Sequence, residues 1–161
     1  VNDIVRQSGE KVTIGGFAKY ELDGPGLLYS YVHFNGKVAT LIQIDDETDE
    51  AAKADATKLL TGDLAMHITA LGPQAVSKDE VDAELIAKER AIAVEQVMGK
   101  PENIIEKIVD GKINKWLGQI TLLGQPFVKD DSKTVAELID EVSKAAGGKL
   151  SVKKFTRLQI G

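Results

Sequence analysis

The sequence has no cysteine, so disulfide bonds, thiolate metal sites and a thiol nucleophile are excluded. It has no apolar run near the roughly 20 residues that are needed to cross a bilayer. It also lacks a basic excess, because 20 Lys and Arg residues stand against 25 Asp and Glu residues and give a net charge of −5. Proteins that hold nucleic acid by its phosphates usually show such an excess. We therefore expect neither a membrane protein nor a protein that binds nucleic acid directly.

Motifs for catalysis or for cofactor binding are missing as well. Gly15-Gly16 and Gly147-Gly148 lack the lysine and the strand–loop–helix context of a phosphate-binding loop. His67 lies beside core positions of a helical pattern, and no second histidine stands at zinc-ligand spacing, so we expect a hydrogen-bonded packing histidine. The acidic run 45–50 lacks the glycine of a calcium loop and is interpreted as an acidic helix start. We therefore expect no enzyme, no cofactor and no metal.

One basic cluster stands out against the acidic background. It comprises Lys149, Lys153, Lys154 and Arg157 near the end of the chain. Clusters of this size are more often the solvated face of a strand than a phosphate site, and we interpret it in that way.

The order of predicted elements is strands, then helices, then one closing strand. A length of 161 residues fits one domain with one substantial core. This order predicts an α+β fold with an antiparallel sheet rather than a βαβ nucleotide-binding fold.

Residues 10–45 are predicted to form strands. Val12 and Ile14 alternate with polar residues, and Gly15-Gly16 is expected to introduce a bulge or bend. Asn35-Gly36 between two β-rich runs predicts a tight hairpin turn, in which both residues accept positive φ. The turn sets a register in which the opposing pairs are Phe34 and Lys37, His33 and Val38, Tyr31 and Thr40, and Tyr29 and Ile42. Both faces of this hairpin are apolar, so we expect helices on one face and further chain or a partner on the other.

Residues 46–72 are predicted to be mostly helical. Their core stripe is Leu60, Leu64, Ile68 and Leu71, and Gly62 is a candidate for a bend. Gly72-Pro73 is expected to end this helix. Ser77 to Glu80 has the pattern of a capping box and predicts a helix that reaches Met98. A second helix is expected from Pro101 to about residue 121, with a stripe of Ile105, Ile108, Trp116, Leu117 and Ile120. The two helices form a predicted αα-hairpin.

The last part of the sequence predicts one more helix and one more strand. Thr134 to Glu137 is a second capping box, and its helix is expected to present Val135, Leu138, Ile139 and Val142 before it stops at Gly147-Gly148. A final strand is predicted over residues 149–160, with a bulge near Lys153-Lys154 that restores the alternation.

Residues 125–131 have two interpretations. The segment reads Gln-Pro-Phe-Val-Lys-Asp-Asp, with apolar residues between a proline and charges. It fits a strand segment of the core, and it fits equally well an apolar loop that docks into a partner.

Three blocks in this order resemble the elongation factor Ts family. They are residues 64–73 (Leu-Ala-Met-His-Ile-Thr-Ala-Leu-Gly-Pro), 99–116 and 124–135. The resemblance extends from Gly9-Glu10-Lys11 to Lys154-Phe155-Thr156-Arg157. That family is a guanine-nucleotide exchange factor for elongation factor Tu in translation.

The resemblance implies an organisation and a partner. Residues 1–74 and 122–161 look like the second subdomain of the family's core, with a projecting helical hairpin, also a dimerisation region, inserted at 75–121. In the family this subdomain leans on domain 3 of elongation factor Tu. The positions that match partner-binding positions of the family are Ser8, Gly9, His33 and Val128. Such a protein is expected in the cytoplasm, or in the matrix of an organelle.

The sequence departs from the family at several positions. Ser8 replaces an aliphatic residue, Gly15-Gly16 replaces Arg-Arg, and Ala39-Thr40-Leu41 replaces Gly-Val-Leu. Thr48 to Ala51 is the only echo of the family's Thr-Asp-Phe-Val exchange tip, and the wedging phenylalanine is missing. With no N-terminal helical domain in the sequence, we expect a binding piece of an exchange factor that lacks the exchange tip, either a fragment or a divergent member of the family. The alternative is a structural module that forms a homodimer through the hairpin or an exposed sheet.

Overall fold

The computed structural model describes residues 1–99 and 101–160, without the side chains of residues 102 and 103. The fold is α+β, as predicted: a three-stranded antiparallel sheet in the order β1-β2-β5 is packed with helices. The elements are α1 (Asn2–Ser8), β1 (Gly26–Val32), β2 (Val38–Asp45), α2 (Asp49–Lys53), α3 (Asp55–Leu71), α4 (Ala83–Glu95), α5 (Glu102–Ile120), β3 (Pro126–Phe127), β4 (Asp130–Thr134), α6 (Val135–Ala146) and β5 (Ser151–Gln159).

The β1–β2 hairpin has the predicted register, with Tyr31 opposite Thr40 and Tyr29 opposite Ile42. The predicted turn conformation is wrong in one respect. Gly36 has a φ of 67°, but Asn35 does not have positive φ. The His33 carbonyl accepts a hydrogen bond from the Gly36 N–H at 2.8 Å, so the turn is wider than a two-residue loop. One left-handed residue is enough to reverse this chain, and the glycine supplies it.

The predicted strand at residues 10–22 does not form. Residues 9–22 have no regular secondary structure, Ile14 is 73% exposed, and Gly15-Gly16 interrupts no ladder. The segment pairs with neither outer strand of the sheet, because two alternating apolar residues are too few to hold it at an edge. The segment instead lies on the outer face of the sheet, where the Tyr20 hydroxyl is 2.7 Å from Thr156 Oγ1. The outer face is therefore covered in part by the chain itself.

The main core lies between the sheet and helices α3 and α6. Leu64 and Ile68 are fully buried, as the predicted stripe requires, but Leu71 is 47% exposed. As the last residue of α3, Leu71 lies past the packed part of the helix. Gly62 does not bend α3; the Tyr29 ring packs 3.6 Å from the position of its missing Cβ. The main core consists of Ile42, Ile44, Leu60, Leu64, Ala65, Ile68, Val76, Leu122, Phe127, Val135, Ile139, Leu150 and Val152.

Of the two predicted capping boxes, one forms. Thr134 caps α6 in a full reciprocal box with Glu137. Ser77 makes no such bond; the Glu80 carboxylate accepts from the Val76 N–H at 3.1 Å instead. After one turn of 3-10 helix the backbone is extended at Val81, and α4 begins later with Asp82 as its N-cap. A capping box forms where a helix continues beyond the box, whereas here the chain leaves the helical conformation after Glu80.

Helices α4 and α5 form the predicted hairpin and have a core of their own. That core consists of Ala93, Val97, Val109, Ile113 and Leu117, with Val81, Ile86, Ile105, Ile108, Trp116 and Ile120 packed against it. Arg90 and Asp110 join the two helices by an ion pair at 2.6 Å. Lys100, in the predicted Gly-Lys-Pro joint, lies outside the described residues.

Strand β5 contains the predicted bulge. Gln43 pairs with Lys154 while Ile44 pairs with Val152, so Lys153 is the extra residue. The basic cluster is engaged within the chain: Lys153 lies 3.1 Å from Asp45, and Arg157 Nε donates to the Thr69 carbonyl at 3.2 Å. These residues do not share one strand face, so that interpretation is wrong: Lys154 Nζ lies 4.5 Å from the centre of the Tyr20 ring on the outer face, whereas Arg157 bonds to α3 on the other face.

Candidate functional site

An open groove of about 520 Å³ lies where the β1–β2 hairpin, α3 and the β3–β4 turn meet. It brings together two of the four sequence-predicted binding residues, His33 from the hairpin and Val128 from the β3–β4 turn. The antiparallel register places His33 directly before the turn, at the end of the sheet. The groove is lined by Tyr31, His33, Asn35, Val38, Met66, Thr69, Ala70, Val128 and Lys129.

His33 is held by its neighbours on the hairpin. Its Nδ1 atom lies 3.2 Å from the Tyr31 hydroxyl, and its ring centroid is 4.4 Å from that of Phe34. The imidazole is partly exposed, while Phe34 is 92% exposed. The ring is thus in contact with Tyr31 and Phe34 and lines the groove.

Val128 stands at the tip of the turn between β3 and β4. The preceding Phe127 is 5% exposed and belongs to the main core, whereas Val128 is 46% exposed. Phe127 fits the core interpretation of residues 125–131, and docking of Val128 into a partner stays a prediction. Phe127 anchors the segment, and Val128 presents an apolar surface to the groove.

His67 supports this turn from within the core. Its side chain is fully buried in α3 and its Nε2 lies 2.9 Å from Gln125 Oε1. Its Nδ1 accepts a hydrogen bond from the Val128 N–H at 3.2 Å. Burial lowers the pKa of His67 from 6.5, so the ring is neutral at pH 7. The prediction of a hydrogen-bonded packing histidine is confirmed.

The helical wall of the groove was not predicted. Met66, Thr69 and Ala70 follow one another at i, i+3 and i+4, a spacing that places them on one face of α3. The sequence signal for this wall was the combination of one methionine and two small residues on a single face of the predicted helix. The Thr69 hydroxyl lies 2.8 Å from that of Thr40 and joins this wall to β2.

A salt bridge closes the rim of the groove. Lys129 Nζ donates to Asp63 Oδ1 at 2.7 Å and connects the β3–β4 turn to α3. The walls are mainly apolar, with one imidazole and a charged rim. This composition is that of a surface for a protein partner. Among residues 1–99 and 101–160, no three His, Asp or Glu side chains are grouped as a metal site.

The whole chain, residues 1–161, matches the sequence model of the family described as Elongation factor TS. The chain belongs to the elongation factor Ts family. It is 43% identical over 164 residues to Elongation factor Ts of Nitratidesulfovibrio vulgaris, a match that covers 100% of the chain and 57% of that relative. It is 40% identical to Elongation factor Ts of a Nitratiruptor species, over 98% of the chain and 52% of the relative.

A third relative shares somewhat less of this chain. Elongation factor Ts of Thermotoga petrophila is 42% identical over 136 residues, which cover 84% of the chain and 68% of that relative. The chain spans little more than half the length of the first two relatives.

The other two binding positions taken from the elongation factor Ts resemblance lie elsewhere. Ser8 ends α1 and its hydroxyl donates to the Ile4 carbonyl at 2.9 Å, while Gly9 caps the helix with a φ of 71°. Both are exposed, and neither lines the groove. Their roles in binding remain predictions.

The segment that echoes the exchange tip of elongation factor Ts starts a short helix, with Thr48, Asp49 and Glu50 exposed and Ala51 buried. Thr48 is the N-cap of α2, and its side chain accepts from the Ala51 N–H at 3.3 Å. Ala51 is 1% exposed, and a Cβ atom at Gly148 would lie only 2.5 Å from its Cβ. The acidic run is thus a helix start, as expected, and its alanine packs inward.

In the described part of the chain, no helix is both long enough and apolar enough to cross a membrane.

Proposed function

We propose that the chain binds elongation factor Tu through the groove and takes part in GDP/GTP exchange during translation elongation. The observation that carries this proposal is that His33 and Val128, from distant parts of the sequence, line one groove. Membership of the elongation factor Ts family supplies the partner. The role is that of a binding protein in the cytoplasm or an organelle matrix, with no cofactor and no reaction of its own.

The groove has the features that protein partners use. Val128 and Met66 supply an apolar centre, and Lys129 with Asp63 forms a charged rim. Interfaces of this kind concentrate binding energy in a few central residues, while the rim excludes water. His33 adds a directional polar contact at one end.

Promotion of exchange by this chain alone is expected to be weak. Glu50 and Ala51 stand where the resemblance would require a Phe-Val wedge, and Ala51 is buried under Gly148. Glu50 is exposed but charged, and the Ala51 side chain is small and already packed inward, so neither supplies an apolar wedge. The chain therefore supplies binding, and the wedge has to come from another source.

Titration calorimetry with elongation factor Tu bound to GDP tests the binding. Val128→Asp places a charge in the apolar centre of the groove and is expected to weaken binding by roughly tenfold or more, about 1.4 kcal/mol. The matched control is Val32→Asp, the same change at a valine that is 63% exposed and does not line the groove. Absence of binding by the unmodified chain, or equal affinities of the two variants, would contradict the proposal.

A GDP-release assay tests the second part. We expect the unmodified chain to accelerate release from elongation factor Tu little or not at all. Strong acceleration would show that a Phe-Val wedge at Glu50-Ala51 is not needed for release.

A second candidate function is self-association through the outer face of the sheet. Phe17, Val32 and Leu158 are 87%, 63% and 40% exposed, and a shallow depression between them is lined mostly by apolar side chains. An apolar surface of this kind is often an interface. Light scattering on the two aspartate variants separates the candidates: Val32→Asp should lower the mass of a dimer, and Val128→Asp should not.

A further inference from the structure

We propose that His67 is a positioning residue, which holds the β3–β4 turn in the conformation that presents Val128 to the partner. This inference rests on the proposed function. It concerns a residue that does not line the groove and is fully buried.

The first observation is the direction of the two hydrogen bonds made by the ring. Nδ1 faces the Val128 N–H, which can only donate, so Nδ1 carries the lone pair. The proton of the neutral ring is then on Nε2, which donates to Gln125 Oε1 at 2.9 Å. Both nitrogens are used, and only this tautomer satisfies both partners.

The second observation is that the ring itself is fixed from the other side. Gln125 Nε2 donates to the Gln119 carbonyl at 2.7 Å, which sets the orientation of the amide and leaves its oxygen toward His67. The ring of Phe127 stacks on the imidazole at 6.0 Å with an interplanar angle of 21°. A short buried chain of hydrogen bonds thus runs from the end of α5 through Gln125 and His67 to the backbone of Val128.

The third observation is that little else holds the turn. Strand β3 has two residues, and its register with β4 shifts between Pro126 and Phe127. The ion pair between Lys129 and Asp63 lies partly in solvent, where such pairs contribute little. The Val128 side chain is 46% exposed and gives limited packing. Phe127 anchors β3 in the main core, and the hydrogen bond from the Val128 N–H to His67 is the constraint that acts on the backbone of the tip itself.

A fixed turn matters because ordering a loop on binding costs free energy. A turn that is already in the bound conformation avoids that cost, so loss of the constraint weakens binding even when the contacting side chain is unchanged. Burial, which lowers the pKa of His67, keeps the ring neutral and Nδ1 able to accept at pH 7.

Two substitutions of His67 test the hydrogen bonds of Nδ1 and Nε2 separately. In His67→Asn the amide oxygen can stand near the position of Nδ1 and accept from Val128. In His67→Gln the amide nitrogen can stand near Nε2 and donate to Gln125, but no acceptor faces Val128. Both changes remove the ring, so both lower the melting temperature through lost packing.

Affinity for elongation factor Tu, measured by calorimetry, should distinguish these variants. We expect His67→Asn to stay within roughly threefold of the unmodified chain and His67→Gln to bind roughly tenfold more weakly, at similar melting temperatures. Amide hydrogen exchange at Val128 should be slow in the unmodified chain and in His67→Asn, and fast in His67→Gln. Equal affinities of the two variants, or unchanged exchange at Val128 in His67→Gln, would overturn the inference.

Two further outcomes are informative. If the unmodified chain fails to bind elongation factor Tu, the proposed function fails, and the exchange measurement still decides whether His67 holds the turn. If neither variant folds, 15N spectra of the unmodified chain decide it, because a proton on Nδ1 of His67 would rule out the bond from Val128.

Discussion

The Tyr31 hydroxyl lies 3.2 Å from Nδ1 of His33, two residues later on the same face of the hairpin. Tyr31 packs against the main core, while His33 faces the groove. A rigid, core-anchored residue thereby orients a side chain that is available to a partner.

Removal of that hydroxyl should affect binding more than folding. We expect Tyr31→Phe to weaken affinity for elongation factor Tu by about threefold to tenfold, since one net hydrogen bond contributes about 1 kcal/mol. The control is Tyr29→Phe, the same change on the same strand at a residue that does not line the groove. Calorimetry should find the control unchanged; equal losses in both variants would argue against a role for the Tyr31–His33 contact.

The two capping sequences should respond differently to alanine. Thr134→Ala removes a formed capping box and is expected to lower the free energy of unfolding by about 1 kcal/mol. Ser77→Ala removes a side chain that caps nothing and should change it by less than about 0.5 kcal/mol. Urea unfolding of both variants checks this, and a larger effect at Ser77 would contradict the observed helix start.

The hairpin turn depends on the left-handed conformation of Gly36. Gly36→Val should destabilise by about 1 kcal/mol or more, because a β-branched residue resists positive φ. Asparagine tolerates this region better, so Gly36→Asn should cost clearly less. The two melting temperatures provide the measurement, and an unchanged value for Gly36→Val would count against the turn.

The free energy of unfolding should decrease as the pH is lowered through the range in which His67 would take up a proton. The pKa of the buried ring lies below 6.5, its value in the unfolded chain, so below that pH the unfolded chain binds a proton that the folded chain refuses. The stabilisation is therefore complete above about pH 6.5 and is lost as pH falls toward the folded pKa.

Comparison of the unmodified chain with His67→Asn at pH 7.5 and 5.5 isolates this effect. His33 is present in both proteins and cancels. Hydrogen bonds lower the pKa of the Asp130 and Glu137 carboxyls from 3.8 and 4.5, so these groups titrate further into the acid range. Urea unfolding should show a greater loss of stability in the unmodified chain. The same loss in both would exclude His67 as its source.

The helical hairpin is proposed to be separable from the sheet domain, which we place at 1–74 and 122–161. Its core and the main core are distinct clusters, and Ala75 bridges to Thr121, so the ends of the insertion lie side by side. Val76 belongs to the main core and should be kept. Replacement of residues 77–117 by a short Gly/Ser linker should leave a sheet that unfolds cooperatively in urea. Loss of cooperative unfolding would show that the hairpin is required for the fold.

Features that depend on neighbouring residues could be predicted from the sequence alone. The register of the β1–β2 hairpin follows from alternation on both sides of a turn that contains Gly36. The cap at Thr134 and the helix end at Gly72 follow from side-chain and backbone groups within one helical turn. Each of these is a local competition between backbone hydrogen bonds, and the residues that decide it are adjacent in the chain.

Other features depend on distant partners. Val12 and Ile14 alternate as a strand would, yet they pair with neither edge of the sheet, and Ile14 is 73% exposed. Even a local signal fails at Ser77, where the chain leaves the helical conformation after one 3-10 turn and the Glu80 carboxylate accepts from the Val76 N–H. The groove lies between α3 and the β3–β4 turn, which are joined by the hydrogen bond between His67 and Val128, 61 residues apart in sequence. Contacts of that range depend on the packing of whole elements, and no local pattern of residues encodes them.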